Sequence, residues 1–206
     1  MKKSPHFLPY PTLELEGIQD KKILQALRNL PRELFVSSEF SQEAYVNAPL
    51  PIACGQTISQ PFIVAYMTEK LQLQATDTVL EIGTGSGFQA AVLAQLVQKV
   101  YTIEVHAELS QTAQKLLNKL GYQNVNYRVG DGKEGWSDYA PFDKIILTAV
   151  AKEIPTKLVK QLKIGGKLIL PLQVNFFEQD LVLITKLTAG KIKQEKLLPV
   201  RFVPLV

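Results

Sequence analysis

The stretch VLEIGTGSGFQA, Val79–Ala90, decides the fold of this 206-residue chain. Residues Thr78–Ile82 are an apolar run that reads as a buried strand, and the apolar pattern after the glycines reads as a helix to about Gln98. Between them, Gly83, Gly85 and Gly87 allow a tight turn and let a ligand lie against the backbone, facing the free N–H groups of the helix start. A dinucleotide loop, G-x-G-x-x-G, would need a third glycine at position 88, where this chain has Phe88. The observed spacing is G-x-G-x-G and follows Glu81, whose charge would repel a pyrophosphate and tolerate a ligand carrying an amine or sulfonium. For the loop alone, a tight turn with packing glycines is the alternative.

Downstream, strands and helices alternate. Strands are expected at Val100–Ile103, Val125–Val129, Phe142–Ala149 and Lys167–Leu170. Helices are expected near Ala107–Leu120, closed by Gly121, and Pro155–Lys163, closed by Gly165–Gly166. The alternation implies an α/β domain with a parallel sheet and helices on both faces. Three short strands, Leu181–Leu187, Lys191–Leu197 and Val200–Leu205, follow, the first two joined by a turn at Thr188–Gly190. Upstream, residues 1–20 read as an irregular arm. Asp20 is placed to cap a helix through Asn29, which Pro31 interrupts. Residues 45–58 have loop chemistry, and a helix starts at Ser59 as its hydroxyl cap, with Pro61 in the first turn. One domain, 1–206, is expected: an extension over 1–75, a core over 76–172 and terminal strands over 173–206.

Composition narrows the classes. Hydrophobic residues make up 46%, which suits a folded chain. One cysteine, Cys54, leaves no internal disulfide framework, and the two histidines, His6 and His106, show no metal-ligand spacing, so no metal is expected. No apolar run approaches the ~20 residues of a membrane span, and the basic tip lacks a signal peptide's apolar stretch. A cytoplasmic protein is the default. The net charge of +4 raises a nucleic-acid partner, but residues 151–206 hold ten basic against four acidic residues while 51–150 hold seven against nine. The excess is a basic tail, and the expectation is no nucleic acid and no membrane.

Two acids sharpen the loop. Glu104 ends the second strand, 19 residues after Gly85, where a carboxylate can accept the hydroxyls of a ribose. Asp131, in VGDG after the third strand, is placed to accept from an adenine amine. With Glu81 these acids end successive strands beside one glycine loop, and S-adenosylmethionine fits the set better than NAD does.

Beyond the generic loop, GQTISQP (Gly55–Pro61), EIGTGSGFQAAVLA (Glu81–Ala94), GDG (Gly130–Gly132), YAPFDKIILTA (Tyr139–Ala149), EIP (Glu153–Pro155), GGKLILP (Gly165–Pro171) and RFVPLV at the terminus occur together. In these motifs the chain resembles bacterial protein-L-isoaspartate O-methyltransferases, from Gly17 to the end. The resemblance implies a doubly wound, mostly parallel, seven-stranded Rossmann-like sheet, and a commonly monomeric enzyme. It implies methyl transfer from S-adenosylmethionine, leaving S-adenosylhomocysteine, to the α-carboxylate of L-isoaspartyl residues in damaged proteins and peptides. The ester then reverts to succinimide. By the same resemblance Ser59 is the active-site residue, with Thr57, Ile58 and Thr148 on the substrate side and the Val200–Leu205 segment closing the cleft. The cofactor set is Glu81, Gly83, Thr84, Gly85, Ser86, Gly87, Glu104, Val105, Asp131 and Gly132. Two positions depart from the family pattern: Ala53-Cys54 precede GQTIS where a polar residue is usual, and Gln173 stands where a glycine is usual.

Other residues take plainer roles. Cys54 is expected as a small buried thiol, His106 as a rim residue and Trp136 as a loop anchor. Lys157, Lys160 and Lys163 are expected to form a solvated helix face opposite Leu158 and Leu162. The alternative functions are a methyltransferase of a small molecule or RNA, and a cofactor-sensing module without turnover.

Overall fold

The computed structural model describes residues 10–205; His6 and the basic tip lie outside the described residues. In chain order the elements are α1 (Lys21–Asn29), β1 (Leu50–Pro51), β2 (Thr57–Ile58), α2 (Pro61–Leu71), β3 (Thr78–Ile82), α3 (Phe88–Ala94), β4 (Lys99–Glu104), α4 (Ala107–Lys119), β5 (Val125–Val129), β6 (Phe142–Leu147), α5 (Thr156–Lys160), β7 (Leu162–Gln173), β8 (Gln179–Lys186) and β9 (Ile192–Val200). Seven strands form one sheet in the order β5-β4-β3-β6-β7-β8-β9, parallel from β5 to β7 and antiparallel at β7–β8 and β8–β9. The chain winds outward from β3 on one side and continues from β6 on the other. The crevice at the carboxyl ends of β3 and β6 is therefore a topological switch point, where ligands of such sheets bind.

Alternation along the strands divides the core into two layers. Val79, Val100, Ile146 and Ile169 face α2, α3 and the N-terminal extension; Leu80, Ile82, Ile103, Ile145 and Leu147 face the layer holding Leu158 and Leu162. The extension is anchored, not loose. Tyr10, Leu13 and Ile18 are buried, and α1 starts where Asp20 accepts from the Lys22 and Ile23 N–H groups.

Several boundaries differ from expectation, each for a local reason. Helix α3 stops at Ala94 because the chain turns, and the Asp77 carbonyl accepts from Gln98 and Lys99 N–H to start β4. Strand β6 ends at Leu147, after which the Thr148 N–H bonds the Ile82 carbonyl. Helix α5 spans only Thr156–Lys160, and Gly165–Gly166 lie inside β7. There the pairing jumps from Phe142↔Leu162 to Lys144↔Lys167, so the glycines form a bulge instead of closing a helix. The flanking lysines are engaged: Lys157 with Glu134 and Lys163 with Asp143 at 2.7 Å. Finally, the strand expected over Val200–Leu205 does not form, and β9 ends at Val200. Residues 201–205 leave the sheet, held by the Gln179 side-chain amide, which accepts from Phe202 N–H (2.7 Å) and donates to its carbonyl (3.2 Å). A parallel bridge of Pro204 to Val150 then lays the segment across the strand ends.

Candidate cofactor and substrate cleft

The glycine loop is built around two close approaches. Gly83 has φ +94°, and a Cβ there would lie 2.4 Å from Thr148 Oγ1. That hydroxyl donates to the Gly83 carbonyl at 2.6 Å, tying the end of β6 to the loop. Gly87, at φ +86°, packs on α4, where a Cβ would meet Leu117 Cδ1 at 2.8 Å. Both glycines thus make room for close protein packing, Gly83 against the end of β6 and Gly87 against α4.

The three acids do not play one role. Glu104 is buried, its Oε2 accepting from Gly85 N–H (2.8 Å) and its Oε1 from His106 N–H (3.1 Å). Each oxygen retains a lone pair for a hydroxyl. Asp131 is exposed, and its Oδ1 accepts from Lys133 N–H at 2.8 Å to cap the following turn. Gly132, not Asp131, forms the cavity wall.

Glu81 is fully buried on the Val79 side of the sheet, outside the cavity lining. Its Oε2 accepts from Thr102 Oγ1 (2.5 Å), whose hydroxyl also meets Thr84 Oγ1 (2.6 Å). Glu81 Oε1 has no partner among the described residues, and burial pushes the acid up to about 8. The expected direct contact with a ligand is therefore replaced by a buried acid supporting the loop from below. Its folded value lies above its ordinary 4.5, so its contribution to stability is whole below pH 4.5 and is lost as pH rises through about 8. Glu81→Gln is expected to be near neutral at pH 4.5 and to stabilise by roughly 1–3 kcal/mol at pH 8. Urea denaturation at the two pH values measures this, and an equal effect at both would contradict it.

Gly83, Gly85, Glu104, Val105, His106 and Gly132 line one cavity, roofed by Val203–Leu205. His106 brings a buried Nε2 with no partner among the described residues. A glycine cradle that excludes a Cβ, a carboxylate with spare lone pairs and an orphan imidazole nitrogen fit a nucleoside that offers hydroxyls and ring nitrogens. The space in this half-open cavity is about 60 Å³, below the ~300 Å³ of an ordinary ligand pocket.

Next to it, Thr57, Ile58, Ser59, Thr84, Ser86 and Thr148 surround a small junction. Beyond Thr57 and Ser59 a pocket of about 420 Å³ opens, walled by Ile63, Pro199, Val200 and Phe202, with Arg201 as its cation. Ser59 is not the helix cap. Pro61 is the first helical residue, Gln60 is extended and occupies the cap position, and no side chain caps α2. The helix start is also less open to an anion than expected: Pro61 has no N–H, and Phe62 N–H donates to Asn47 Oδ1 at 3.0 Å. Freed from capping, the half-buried Ser59 hydroxyl has no partner among the described residues. Its carbonyl accepts from Arg32 Nη2 at 3.0 Å.

A family model for protein-L-isoaspartate(D-aspartate) O-methyltransferase matches residues 11–206. The chain belongs to this family. It is 54% identical over 196 residues to the protein-L-isoaspartate O-methyltransferase of Parvibaculum lavamentivorans, covering 94% of this chain and 88% of the relative. It is 51% identical over 193 residues to that of Dictyoglomus turgidum, covering 94% and 87%. A solved protein-L-isoaspartate O-methyltransferase superposes with a TM-score of 0.85 at 29% identity, over 93% of this chain and 63% of that one. A Plasmodium falciparum structure described as a putative enzyme of this name, in complex with S-adenosyl-L-homocysteine, shares the fold with a TM-score of 0.83 at 24% identity, covering 95% of each chain.

Within this O-methyltransferase frame, both departures sit away from the junction. Ala53-Cys54 form the tip joining β1 to β2. Cys54 is exposed, not buried as expected: it sits at the ribbon tip with φ 57°, its Sγ 3.9 Å from Glu108 Oε2 on α4. Gln173 does not enter the cleft either; its amide donates to the Asn175 carbonyl. Trp136 packs edge-on to Tyr101 and Tyr139 and lies under Arg128. Among the described residues no group of three or more His, Cys, Asp or Glu could hold a metal, and no helix is long and apolar enough to cross a membrane. Sequence reasoning missed Arg32. A fully buried guanidinium, it donates to the carbonyls of Ala44, Val46 (3.4 Å), Ala48 (3.4 Å) and Ser59 (3.0 Å). The sequence offers little signal for it: in Leu30–Phe35 Arg32 stands beside Glu33, which reads as an ordinary surface pair.

Proposed function

We propose that the chain methylates the free α-carboxylate of L-isoaspartyl residues in damaged proteins and peptides, initiating their return through succinimide. The observation that carries this reading is the junction itself. Ser59 and Thr57 belong both to the space beside the glycine loop and to the larger Arg201 pocket, so a donor on one side and a peptide on the other meet there. S-adenosylmethionine supplies the methyl group, activated on a sulfonium.

Glu104 would hold the ribose hydroxyls, His106 and Gly132 would lie along the nucleoside, and Gly83 would allow close approach. Val105, Thr84 and Ser86 would complete that side, and Asp131, next in the chain to Gly132, would offer its second oxygen to an adenine amine. On the peptide side, a carboxylate with a pKa of about 3.5–4 is already ionised at neutral pH, so no residue needs to act as base. The Ser59 hydroxyl donates to one carboxylate oxygen, Arg201 balances its charge, and Thr57, Ile58 and Thr148 limit how it can turn. The work of the site is alignment and exclusion of water. The edge strand β9, which ends at Val200, suits an extended peptide bound through its main chain, which leaves most side chains unread. The partners under this reading are proteins and peptides, not nucleic acid or membrane, and the enzyme works as a cytoplasmic monomer.

Ser59→Ala is expected to lower kcat/KM for an isoaspartyl peptide by about 10–100-fold, the scale for one aligned donor, while S-adenosylhomocysteine affinity by calorimetry changes less than threefold. Collapse of that affinity with turnover intact would put Ser59 on the cofactor side. The type of bond is tested by mild alkali: a methylated carboxylate releases methanol, whereas a methylated base or amine retains its label. Alkali-stable product would favour the RNA or small-molecule alternative.

A further inference from the structure

We propose that Phe176 and Phe177, at the tip of the β7–β8 loop, form a docking lip for one apolar side chain of the client peptide, two or three positions from the isoaspartyl residue. The proposal rests on the isoaspartyl reading above and adds a sequence preference to it.

The loop shows its rings without using them. Asn175 Oδ1 accepts from Phe177 N–H (2.9 Å) and Glu178 N–H (3.1 Å), and Val174 N–H donates to the Glu178 carbonyl (2.9 Å). The Gln173 amide adds a bond to the Asn175 carbonyl. This turn is held by polar groups alone. The rings, edge to face at 5.1 Å, are 89% and 81% exposed. Scattered exposed apolar residues are ordinary; two adjacent phenyl rings on a hydrogen-bonded turn beside a substrate pocket are a patch that asks for an occupant.

Continuity identifies the occupant. A pocket of about 270 Å³ lies under Phe177, walled by Lys196, Pro199, Val200 and Arg201. Pro199, Val200 and Arg201 also wall the Ser59 pocket. Three consecutive residues span at most ~7 Å, the length of two steps of an extended peptide, so a chain threaded past Ser59 reaches the second pocket within two or three positions. Lys196 is paired with Asp180 at 2.7 Å, so two of that pocket's charges are matched, and Val174, Phe177, Pro199 and Val200 supply its apolar surface beside Glu178, Gln179 and Arg201. A second copy of this chain is the weaker occupant. Two phenylalanines offer ~300–500 Å², short of the ~800 Å² that a stable dimer buries per partner.

The test uses isoaspartyl nonapeptides of Gly, Ser and Thr, with a single Leu or Phe scanned through flanking positions. They are assayed with the wild-type enzyme and with the double variant Phe176→Ser/Phe177→Ser, whose exposed side chains contribute nothing to the core. The wild type is expected to show a KM about tenfold lower when the apolar residue sits two or three positions away on one side. In the variant that advantage shrinks below twofold, with kcat and the KM of the all-polar peptide unchanged. A preference that survives in the variant, or no preference in the wild type, overturns the lip. So does sedimentation showing a wild-type dimer that the variant dissolves, which would assign the rings to self-contact. Failure of the activity reading is seen separately, as no turnover of any isoaspartyl peptide, and would remove the lip with it.

Discussion

Arg32→Leu is expected to destabilise the protein by roughly 3–5 kcal/mol, the scale for stripping partners from several buried polar groups at once. The guanidinium is wholly buried, and its donors reach carbonyls at Ala44, Val46, Ala48 and Ser59, three of them in the turn-rich segment before β1. The Val46 carbonyl also accepts from Ala48 N–H (2.8 Å), but no strand or helix bonds the Ala44, Ala48 or Ser59 carbonyls, so the segment's anchoring rests mainly on one forked side chain. Burial lowers its pKa only to about 10, so it remains charged at neutral pH, and the Phe88 ring lies 5.6 Å from it. Arg32→Lys keeps the charge but not the fork; it should recover less than half of the loss. Urea denaturation measures both variants, and a cost under 1 kcal/mol for Arg32→Leu would contradict the anchoring role. Because one of the four carbonyls belongs to Ser59, the lysine variant should also lose kcat more than cofactor affinity.

Glu104→Ala is expected to weaken S-adenosylhomocysteine binding at least 100-fold, about 2.7 kcal/mol, with the fold retained by circular dichroism. The carboxylate has two duties. It fixes the loop by accepting from Gly85 and His106 N–H, and under the proposed function its remaining lone pairs take ribose hydroxyls. Alanine removes both, so the Gly85 amide loses its acceptor as the ligand loses its own. Glu104→Gln should be nearly as damaging, because an amide must turn one N–H₂ toward a backbone donor. Calorimetry with the homocysteine product reads the effect without turnover. Affinity within threefold of wild type would place the nucleoside elsewhere.

Both residues bear on how far the chain's own letters carry. The strand–glycine–helix unit at 79–90 could be read because it is local: apolar run, turn glycines and helix share one stretch. Asp20 was readable as a cap for the same reason. Ser59 was misplaced as a cap because Pro61 takes the first helical position and passes the cap to Gln60. Strands β1 and β2 escaped notice because two-residue strands containing Pro51 leave no period to detect. Gly165–Gly166 read as a stop, but whether a glycine pair ends a helix or bulges a strand depends on the neighbouring strand. Glu81 holds the most useful lesson. Alternation alone puts it on the same face as Val79, opposite Leu80 and Ile82, so its burial beneath the loop was available from the period of two. Arg32 could not be read, since its partners lie 12 to 27 residues away.

The central claim is that this chain recognises a backbone isomer. The most direct measurement compares labelled methyl transfer from S-adenosylmethionine to two peptides of identical sequence, one with L-isoaspartate and one with L-aspartate at the same position. The account predicts alkali-labile methylation of the isoaspartyl peptide, with kcat/KM at least 100-fold above that of its twin. Equal rates on the two peptides, or no transfer to the isoaspartyl form by enzyme that binds S-adenosylhomocysteine, would contradict it.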